Sequence, residues 1–239
     1  MISFLLYGEG VSDMGGAPGV SVENMVTSEY FEPGPLSLLL EQLVADWNYS
    51  LFGKDSLYFV SRKSLKKDMK GLSPKVGLPG IKRDSRMLLF ERQALFLARK
   101  AQELEKSEGL TVVAVFFHDA DPNSDEKHKN LWEKIAEAML RGFRQEKYER
   151  GVPMVPQPIS EVWFLCALKN PPYHNCGVLE NLSGKPGAAK NLKKELEDLL
   201  GKSPLHDLIH EGRVDPRKID MPSYNAFRER LEEVLASLS

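Results

Sequence analysis

The sequence predicts an α/β fold with a mainly parallel sheet flanked by helices and followed by a helical C-terminal extension. Apolar runs typical of strands occur at residues 2–7, 57–60 and 111–117, and segments with helical spacing lie between and after them. Strands that alternate with helices indicate a parallel sheet, because parallel neighbours need a long crossover connection. The run at 111–117 is almost entirely β-branched or aromatic, which is typical of a strand buried on both faces.

The predicted elements continue along the rest of the chain. A Gly- and Pro-rich loop covers residues 13–35, and a basic stretch interrupted by Gly and Pro covers residues 62–86. Residues 152–155 form a fourth possible strand, which Pro153 and Pro156 weaken. Helices are predicted from apolar spacing at residues 36–47, 87–106, 126–148, 161–168, 188–200 and 224–238.

Composition narrows the classes of function. The 239 residues include 32 Lys and Arg against 34 Asp and Glu, so any contact with nucleic acid must come from a local basic patch. No apolar run approaches the roughly 20 residues that span a bilayer, and residues 1–7 lack the basic leader of a signal peptide. Cys166 and Cys176 fit a reducing compartment better than a disulfide framework. These observations predict a cytoplasmic protein without membrane contact.

Acidic side chains follow two of the predicted strands. Glu9 comes just after the first strand, and Asp119 and Asp121 come just after the run at 111–117. If these strands are neighbours, the three carboxylates converge at one edge of the sheet, where ligands of such folds bind. Crowded carboxylates repel one another unless a proton or a cation is present, and Mg²⁺ prefers oxygen ligands. The alternative is that residues 119–122 form an ordinary turn, since Asp and Pro favour turns.

Three short motifs resemble those of a known family. Residues 9–13, Glu-Gly-Val-Ser-Asp, resemble the E-G-x-[ST]-[DE] motif that opens TOPRIM domains in OLD-type nucleases and related bacterial phage-defence proteins. Residues 118–121, His-Asp-Ala-Asp, resemble the D-x-D motif of these domains. Residues 158–165 resemble the P-x-x-[ES]-x-W-x-L element of RloB-like and similar defence families. The motifs occur in the order found in the family and together span residues 1–170.

The resemblance implies roles for individual acids. Glu9 would be a metal ligand or a general base, and Asp119 and Asp121 would be metal ligands. Glu161 would be a further ligand or an orienting group, and Asp13 would support the ligands or bind a second metal ion. The implied reaction is Mg²⁺- or Mn²⁺-dependent cleavage of phosphodiester bonds in DNA or RNA, in an anti-phage system of the abortive-infection type.

The resemblance also implies an organisation and partners. Residues 1–170 would form a TOPRIM-like, Rossmann-like catalytic domain, and residues 171–239 a helical extension of that domain or a unit of its own. OLD-type nucleases carry an ATPase module that this sequence lacks, so we expect a separate ATPase protein as a partner, and a homo-oligomer is also possible. Residues 14–19 break the helix that usually follows the first motif, which leaves the role of Asp13 open.

The basic stretch at 62–86 is the candidate for contact with a nucleic-acid backbone, because Lys and Arg neutralise phosphates without reading sequence. An ordinary solvated loop is the alternative. The predicted nucleic-acid-binding residues are Lys63, Lys66, Lys67, Lys70, Lys82 and Arg83. A second basic cluster is expected to be a solvated helix face and consists of Lys185, Lys190, Lys193 and Lys194.

Other interpretations stay open from the sequence. A catalytically idle TOPRIM-like module could bind nucleic acid or a partner protein, and the same acids could serve a metal-dependent phosphatase or phosphotransferase. Glu161 could simply begin a helix, with Trp163 entering the core. His206 and His210 could face together on a helix and bind zinc, although no third ligand is evident.

Overall fold

A five-stranded sheet forms the centre of the fold. The structure, a computed structural model, describes residues 1–8, 11–17, 25–61, 64–65, 69, 84–121, 130–184 and 191–238. The strands of the sheet are β1 (Ile2–Gly8), β3 (Val26–Thr27), β5 (Leu57–Val60), β6 (Thr111–Phe117) and β7 (Gly151–Met154). Their order is β3-β5-β1-β6-β7, with β3 antiparallel to β5 and the other pairs parallel. A separate two-stranded sheet pairs β2 (Gly15–Gly16) with β4 (Glu32–Pro33).

Helices flank the sheet as the alternating pattern predicts. They are α1 (Val11–Met14), α2 (Pro35–Ala45), α3 (Ser85–Glu108), α4 (Leu131–Gln145), α5 (Glu161–Leu168), α6 (Leu192–Leu200), α7 (Leu205–His210) and α8 (Pro222–Ala236). Short 3₁₀ segments cover Ser28–Tyr30, Cys176–Asn181 and Pro216–Lys218. The predicted helices correspond to α2 to α6 and α8, while α7 was not predicted. The first residues predicted for α4 and α6 lie outside the described residues. The α/β class with a mainly parallel sheet is confirmed.

The two strands that carry the acidic motifs are neighbours at the centre of the sheet. β1 pairs with β6 along its whole length, from Ile2 opposite Thr111 to Gly8 opposite Phe117. Alternate residues of both strands are buried on opposite faces, with Phe4 and Val113 in one core cluster and Leu5 in the other. Burial on both faces explains why these strands read as continuous apolar runs.

The two faces of the sheet are covered by different helices. One core cluster contains the buried side chains of α3 and α4, and the other contains those of α2, α5 and α8. Close packing of α3 on α4 depends on Gly142, where an added Cβ would lie 2.0 Å from the Glu91 carbonyl oxygen. Each sheet face is therefore sealed by a helical layer, which leaves the ends of the strands as the place for a site.

The edge strand β7 contains a proline, which is compatible with its position. Pro153 lacks an N–H, but β7 has a neighbour on one side only, so no second ladder is interrupted. Helix α8 packs against the edge strand, and Arg230 of α8 donates from Nε to the Gly151 carbonyl oxygen at 3.1 Å. The C-terminal helices thus pack against the same core as the sheet, while the domain boundary at residue 170 stays a prediction.

The cysteines differ from the expectation. Cys166 and Cys176 form a disulfide with a Cα–Cα distance of 5.3 Å, so the expectation of unpaired thiols is wrong. The end of α5 and the start of the following 3₁₀ segment bring them together, and both are buried in the core. Spacing in the sequence could not reveal this, because pairing depends on where the intervening loop returns. In the described part of the chain, no helix has both the length and the apolar character needed to cross a bilayer.

Candidate acidic site at the edge of the sheet

Three segments that follow parallel strands bring carboxylates to one edge of the sheet. Asp13 lies on α1 after β1, Asp119 lies just after β6, and Glu161 begins α5 after β7. Because β1, β6 and β7 are consecutive and parallel, the segments after them leave the sheet at the same edge. We call Asp13, Asp119 and Glu161 the acidic cluster.

Glycine ends the short helix that carries Asp13. Gly15 has φ of 100°, a region that residues with a Cβ rarely adopt, and a Cβ there would lie 2.2 Å from the Glu32 carbonyl oxygen. The backbone N–H of Gly34 donates to the Met14 carbonyl oxygen at 3.2 Å. The predicted break after Asp13 is therefore real, and the turn that it forms holds α1 against the loop before α2.

Ser160 links the three carboxylates. Its backbone N–H donates to Oδ1 of Asp119 at 2.8 Å. Its hydroxyl donates to Oδ1 of Asp13 at 3.2 Å and lies 3.5 Å from Oε2 of Glu161. The side chain of Ser12 donates to the second oxygen of Asp13 at 3.3 Å. Ser160 is 2% exposed, whereas the three carboxylates around it are half-buried. The start of α5 therefore sets the geometry of the junction, while the carboxylates keep some access to water.

Burial and repulsion make the acidic cluster electrostatically unfavourable. Burial raises the pKa of Asp119 well above its ordinary value of 3.8, and the charges of Asp13 and Glu161 raise it further. Burial, followed by the charge of Glu161, also raises the pKa of Asp13. The hydrogen bonds from Ser160 oppose both shifts without cancelling them. Raised carboxyl pKa values in such an arrangement are typical of sites that bind a cation or transfer a proton.

Lys193 of α6 supplies a positive charge to the acidic cluster. Its ammonium lies 3.3 Å from Oε1 of Glu161, and its side chain is 58% exposed. The charge of Glu161, with smaller contributions from Asp119 and Asp13, raises the pKa of Lys193. Lys193 and Lys194 are exposed, as expected for a solvated helix face, and Lys193 in addition pairs with Glu161. Lys185 and Lys190 lie outside the described residues. One ammonium offsets three carboxylates only in part.

Of the remaining predicted site residues, the structure describes only Asp121. Glu9 lies outside the described residues, although Gly8 before it pairs with Phe117 at the same edge. Asp121 is exposed, and its backbone carbonyl oxygen accepts a hydrogen bond from Nη2 of Arg86 at 2.7 Å. The predicted nucleic-acid-binding residues also lie outside the described residues: Lys63, Lys66, Lys67, Lys70, Lys82 and Arg83.

Sequence reasoning missed two residues of the site. Ser160 immediately precedes Glu161 in the third motif, so the sequence could place it near the site. The sequence could not show that Ser160 contacts both Asp119 and Asp13. Lys193 belongs to a basic cluster far along the chain, and nothing in local spacing links it to Glu161. Trp163 is fully buried, and its Nε1 donates to the Ser223 hydroxyl at 3.1 Å, as expected for a core residue on α5.

The donor chemistry of the acidic cluster suits a hard divalent ion. Carboxylate and hydroxyl oxygens are the ligands that Mg²⁺ and Mn²⁺ prefer. Among the described residues, which leave out Glu9, no group of three or more His, Cys, Asp or Glu side chains is arranged closely enough to hold a metal ion. The described carboxylates therefore supply suitable ligands but not a closed coordination sphere.

Three cavities of the described structure are lined by residues outside the acidic cluster. One of about 670 Å³ lies between α3 and α4 and is lined by Asp84, Met87, Leu88, Glu91, Arg141, Arg144 and Gln145. Arg141 pairs there with Glu91 at 3.3 Å. Because its charged groups neutralise one another and none belongs to the acidic cluster, cavity size does not identify the site here. The raised pKa values of Asp119 and Asp13 identify it instead.

Comparison of the chain with protein-family models, curated proteins and solved structures finds no match in any of the three. The resemblance to TOPRIM domains therefore depends on the three motifs, and the functional inference depends on the acidic cluster.

Proposed function

We propose that the acidic cluster is the active site of a Mg²⁺-dependent TOPRIM-like enzyme that cleaves phosphodiester bonds in DNA or RNA. The observation that carries the proposal is the raised pKa of Asp119 beside two further carboxylates, at the edge where the central strands end. A divalent cation relieves this repulsion, and phosphodiester cleavage is a reaction that such a cation can catalyse.

The proposed metal ligands come from Asp13, Asp119 and Glu161, which by themselves do not form a group that could hold an ion. Glu9 and Asp121 are the further ligands that the motifs predict. When bound, Mg²⁺ would neutralise charge on the phosphate and lower the pKa of a water molecule. The chain itself fixes the ligands: the N–H of Ser160 holds one oxygen of Asp119, which leaves the other for a cation. The hydroxyls of Ser160 and Ser12 each donate to one oxygen of Asp13 and so orient its carboxylate. Glu9 would accept the proton of the attacking water.

The wider proposal concerns setting and partners. The enzyme would act in the cytoplasm as an anti-phage effector, with a separate ATPase protein and with nucleic acid held by the basic stretch at 62–86. Disulfides are rare in the cytosol, so Cys166–Cys176 counts against this location unless its burial protects it from reductants. Thiol counting on protein rapidly trapped in cells would decide the point.

A cleavage assay tests the proposed activity. Supercoiled plasmid and single-stranded RNA are incubated with the protein in Mg²⁺, Mn²⁺ or EDTA, using Asp119→Asn, Glu161→Gln and Glu9→Gln as variants. We expect metal-dependent nicking that these variants reduce by at least about 100-fold, since each removes a charged ligand or base. Asp198→Asn, an exposed acid on α6, is the matched control and should cleave normally.

Cleavage that survives in Asp119→Asn would refute the assignment. Release of phosphate from nucleotides without cleavage of either nucleic acid would instead indicate the phosphatase or phosphotransferase alternative.

A second candidate, a catalytically idle binding module, has its own supporting observation. Lys193 already pairs with Glu161, and Asp119 accepts a hydrogen bond next to the N-terminus of α5, where a negative charge is stabilising. The cluster could therefore be a structural junction. Calorimetry that detects no Mg²⁺ or Mn²⁺ binding by the wild type, together with no cleavage, would favour this candidate.

A further inference from the structure

A pair of histidines on the C-terminal part of the chain has no role in the proposed reaction. His206 and His210 lie four residues apart on α7, and both are exposed. Their ring centroids are 4.4 Å apart, with the rings at 64° to each other. Two histidines at this spacing present their nitrogens to one side of a helix, which is the arrangement that binds zinc in helical H-x-x-x-H motifs.

The backbone that carries the pair is well anchored. Leu208 and Ile209, between the two histidines, are 3% and 1% exposed and join the buried core. The Ile209 carbonyl oxygen accepts a hydrogen bond from Nε2 of Gln42 at 3.0 Å, which ties α7 to α2. The backbone that carries both imidazoles is therefore held in place, so little conformational entropy is lost when the two rings bind one ion.

A neighbouring carboxylate orients one of the rings. Oδ1 of Asp207 lies 3.5 Å from Nδ1 of His206. In the tautomer of His206 that has its proton on Nδ1, facing this carboxylate, the lone pair of Nε2 is available to a metal ion, and metal-binding histidines commonly have such a carboxylate partner. Asp207 also adds negative charge beside the pair, which favours a cation.

We propose that His206 and His210 form a two-histidine chelate for a divalent transition-metal ion such as Zn²⁺, Ni²⁺ or Cu²⁺. Imidazole favours these ions over Mg²⁺, so the site differs in chemistry from the acidic cluster. In the described part of the chain no third His, Cys, Asp or Glu completes the group. Water fills the remaining coordination positions, and the ion stays accessible from solution.

Calorimetric titration of the full chain without an affinity tag tests the proposal, with ZnCl₂ and NiCl₂ as probes. We expect one equivalent of Zn²⁺ per chain, with affinity at least about tenfold weaker in His206→Ala and in His210→Ala. Asp207→Asn should weaken binding by a smaller factor. His174→Ala removes an exposed histidine elsewhere and is the matched control, which should bind as the wild type does.

Proton NMR of the ring hydrogens gives a second measurement. The signals of His206 and His210 should shift together on adding Zn²⁺ while the His174 signal stays unchanged. Excess MgCl₂ should not displace the ion, and Asp119→Asn should keep the site, so the result does not depend on the proposed nuclease. Zn²⁺ binding that is unchanged in the His206→Ala/His210→Ala double variant, or absent in the wild type, would overturn the proposal.

Discussion

Replacing Asp119 with asparagine should stabilise the protein in the absence of metal and abolish its response to Mg²⁺. Asparagine keeps an oxygen that can accept the hydrogen bond from the N–H of Ser160 but carries no charge to repel Asp13 and Glu161. Stabilisation by removal of a proposed ligand is the opposite of what most substitutions at a buried junction do. Whether Asp119→Asn raises or lowers the free energy of unfolding therefore distinguishes repulsion within the acidic cluster from a stabilising junction.

The magnitude follows from proton linkage. Because folding raises the pKa of Asp119, the folded state binds the proton more tightly than the unfolded state. The contribution of Asp119 to stability should be greatest below the ordinary pKa of 3.8 and should be lost as the pH rises through the raised pKa. Above the raised pKa, the wild type is less stable by about 1.4 kcal/mol for each tenfold increase in proton affinity that folding causes. Asp119→Asn recovers this free energy, less the cost of a weaker hydrogen bond.

Metal binding should act in the opposite direction. With Mg²⁺ at about ten times its dissociation constant, binding to the folded state adds about 1.4 kcal/mol to the free energy of unfolding. For a chain of this size that corresponds to an increase in Tm of about 3–6 °C. The wild type should show this increase and Asp119→Asn should not.

Thermal unfolding followed by circular dichroism, from pH 4 to pH 8 with and without Mg²⁺, measures both effects. Asp198→Asn on the exposed side of α6 controls for the loss of one negative charge and should behave as the wild type does. If Asp119→Asn lowers Tm at neutral pH without metal, the cluster is a stabilising junction. If it keeps the Mg²⁺-dependent increase, Asp119 is not a ligand.

Three further predictions concern other parts of the structure. Lys193→Ala should raise the pKa of Asp119 further, because it removes a cation that opposes the effect of burial, and carboxyl ¹³C NMR titration measures this directly. Gly142→Ala should destabilise the protein by about 1–3 kcal/mol in urea unfolding, since the new Cβ would meet the Glu91 carbonyl oxygen. Gly177→Ala, whose Cβ would lie 3.6 Å from Cδ of Pro222, is its control and should unfold nearly as the wild type does. Ser223→Ala removes a hydroxyl that bonds both Glu180 and Trp163, so it should cost about 1–3 kcal/mol and alter tryptophan fluorescence.

The fold was predictable where a periodic pattern reports burial directly. Strands β1 and β6 are buried on both faces and, apart from Ser3 and Thr111, consist of apolar residues and glycine. Most of the longer helices have a buried stripe of apolar side chains. Helix α7 was missed because it has only six residues, too few for the spacing of apolar side chains to repeat. The short strands β2, β3 and β4 were missed for the same reason, since two residues carry no alternation.

The site was predictable only in part, because contacts between distant residues leave no local signal. The position of acids after adjacent strands led to Asp119, and the third motif led to Glu161. The hydrogen bonds of Ser160 and the ion pair of Lys193 depend on how α5 and α6 pack, which no spacing within either helix reveals. The disulfide between Cys166 and Cys176 was missed for the same reason.

A purely structural role accounts for the charge of Asp119 better than it accounts for the charge of Asp13. The carboxylate of Asp119 accepts a hydrogen bond from the Ser160 N–H beside a helix N-terminus, and this contact offsets part of the cost of burying its charge. Asp13 accepts one hydrogen bond on each of its oxygens, from the hydroxyls of Ser160 and Ser12. An asparagine could accept one of them at its oxygen and donate from its amide nitrogen to the other hydroxyl, without repelling its acidic neighbours. A chain shaped by stability alone would have no use for the charge at position 13. Unfavourable charge that persists where a neutral isostere would fit is expected at sites kept for function, and a divalent cation is the ligand that turns this repulsion into binding.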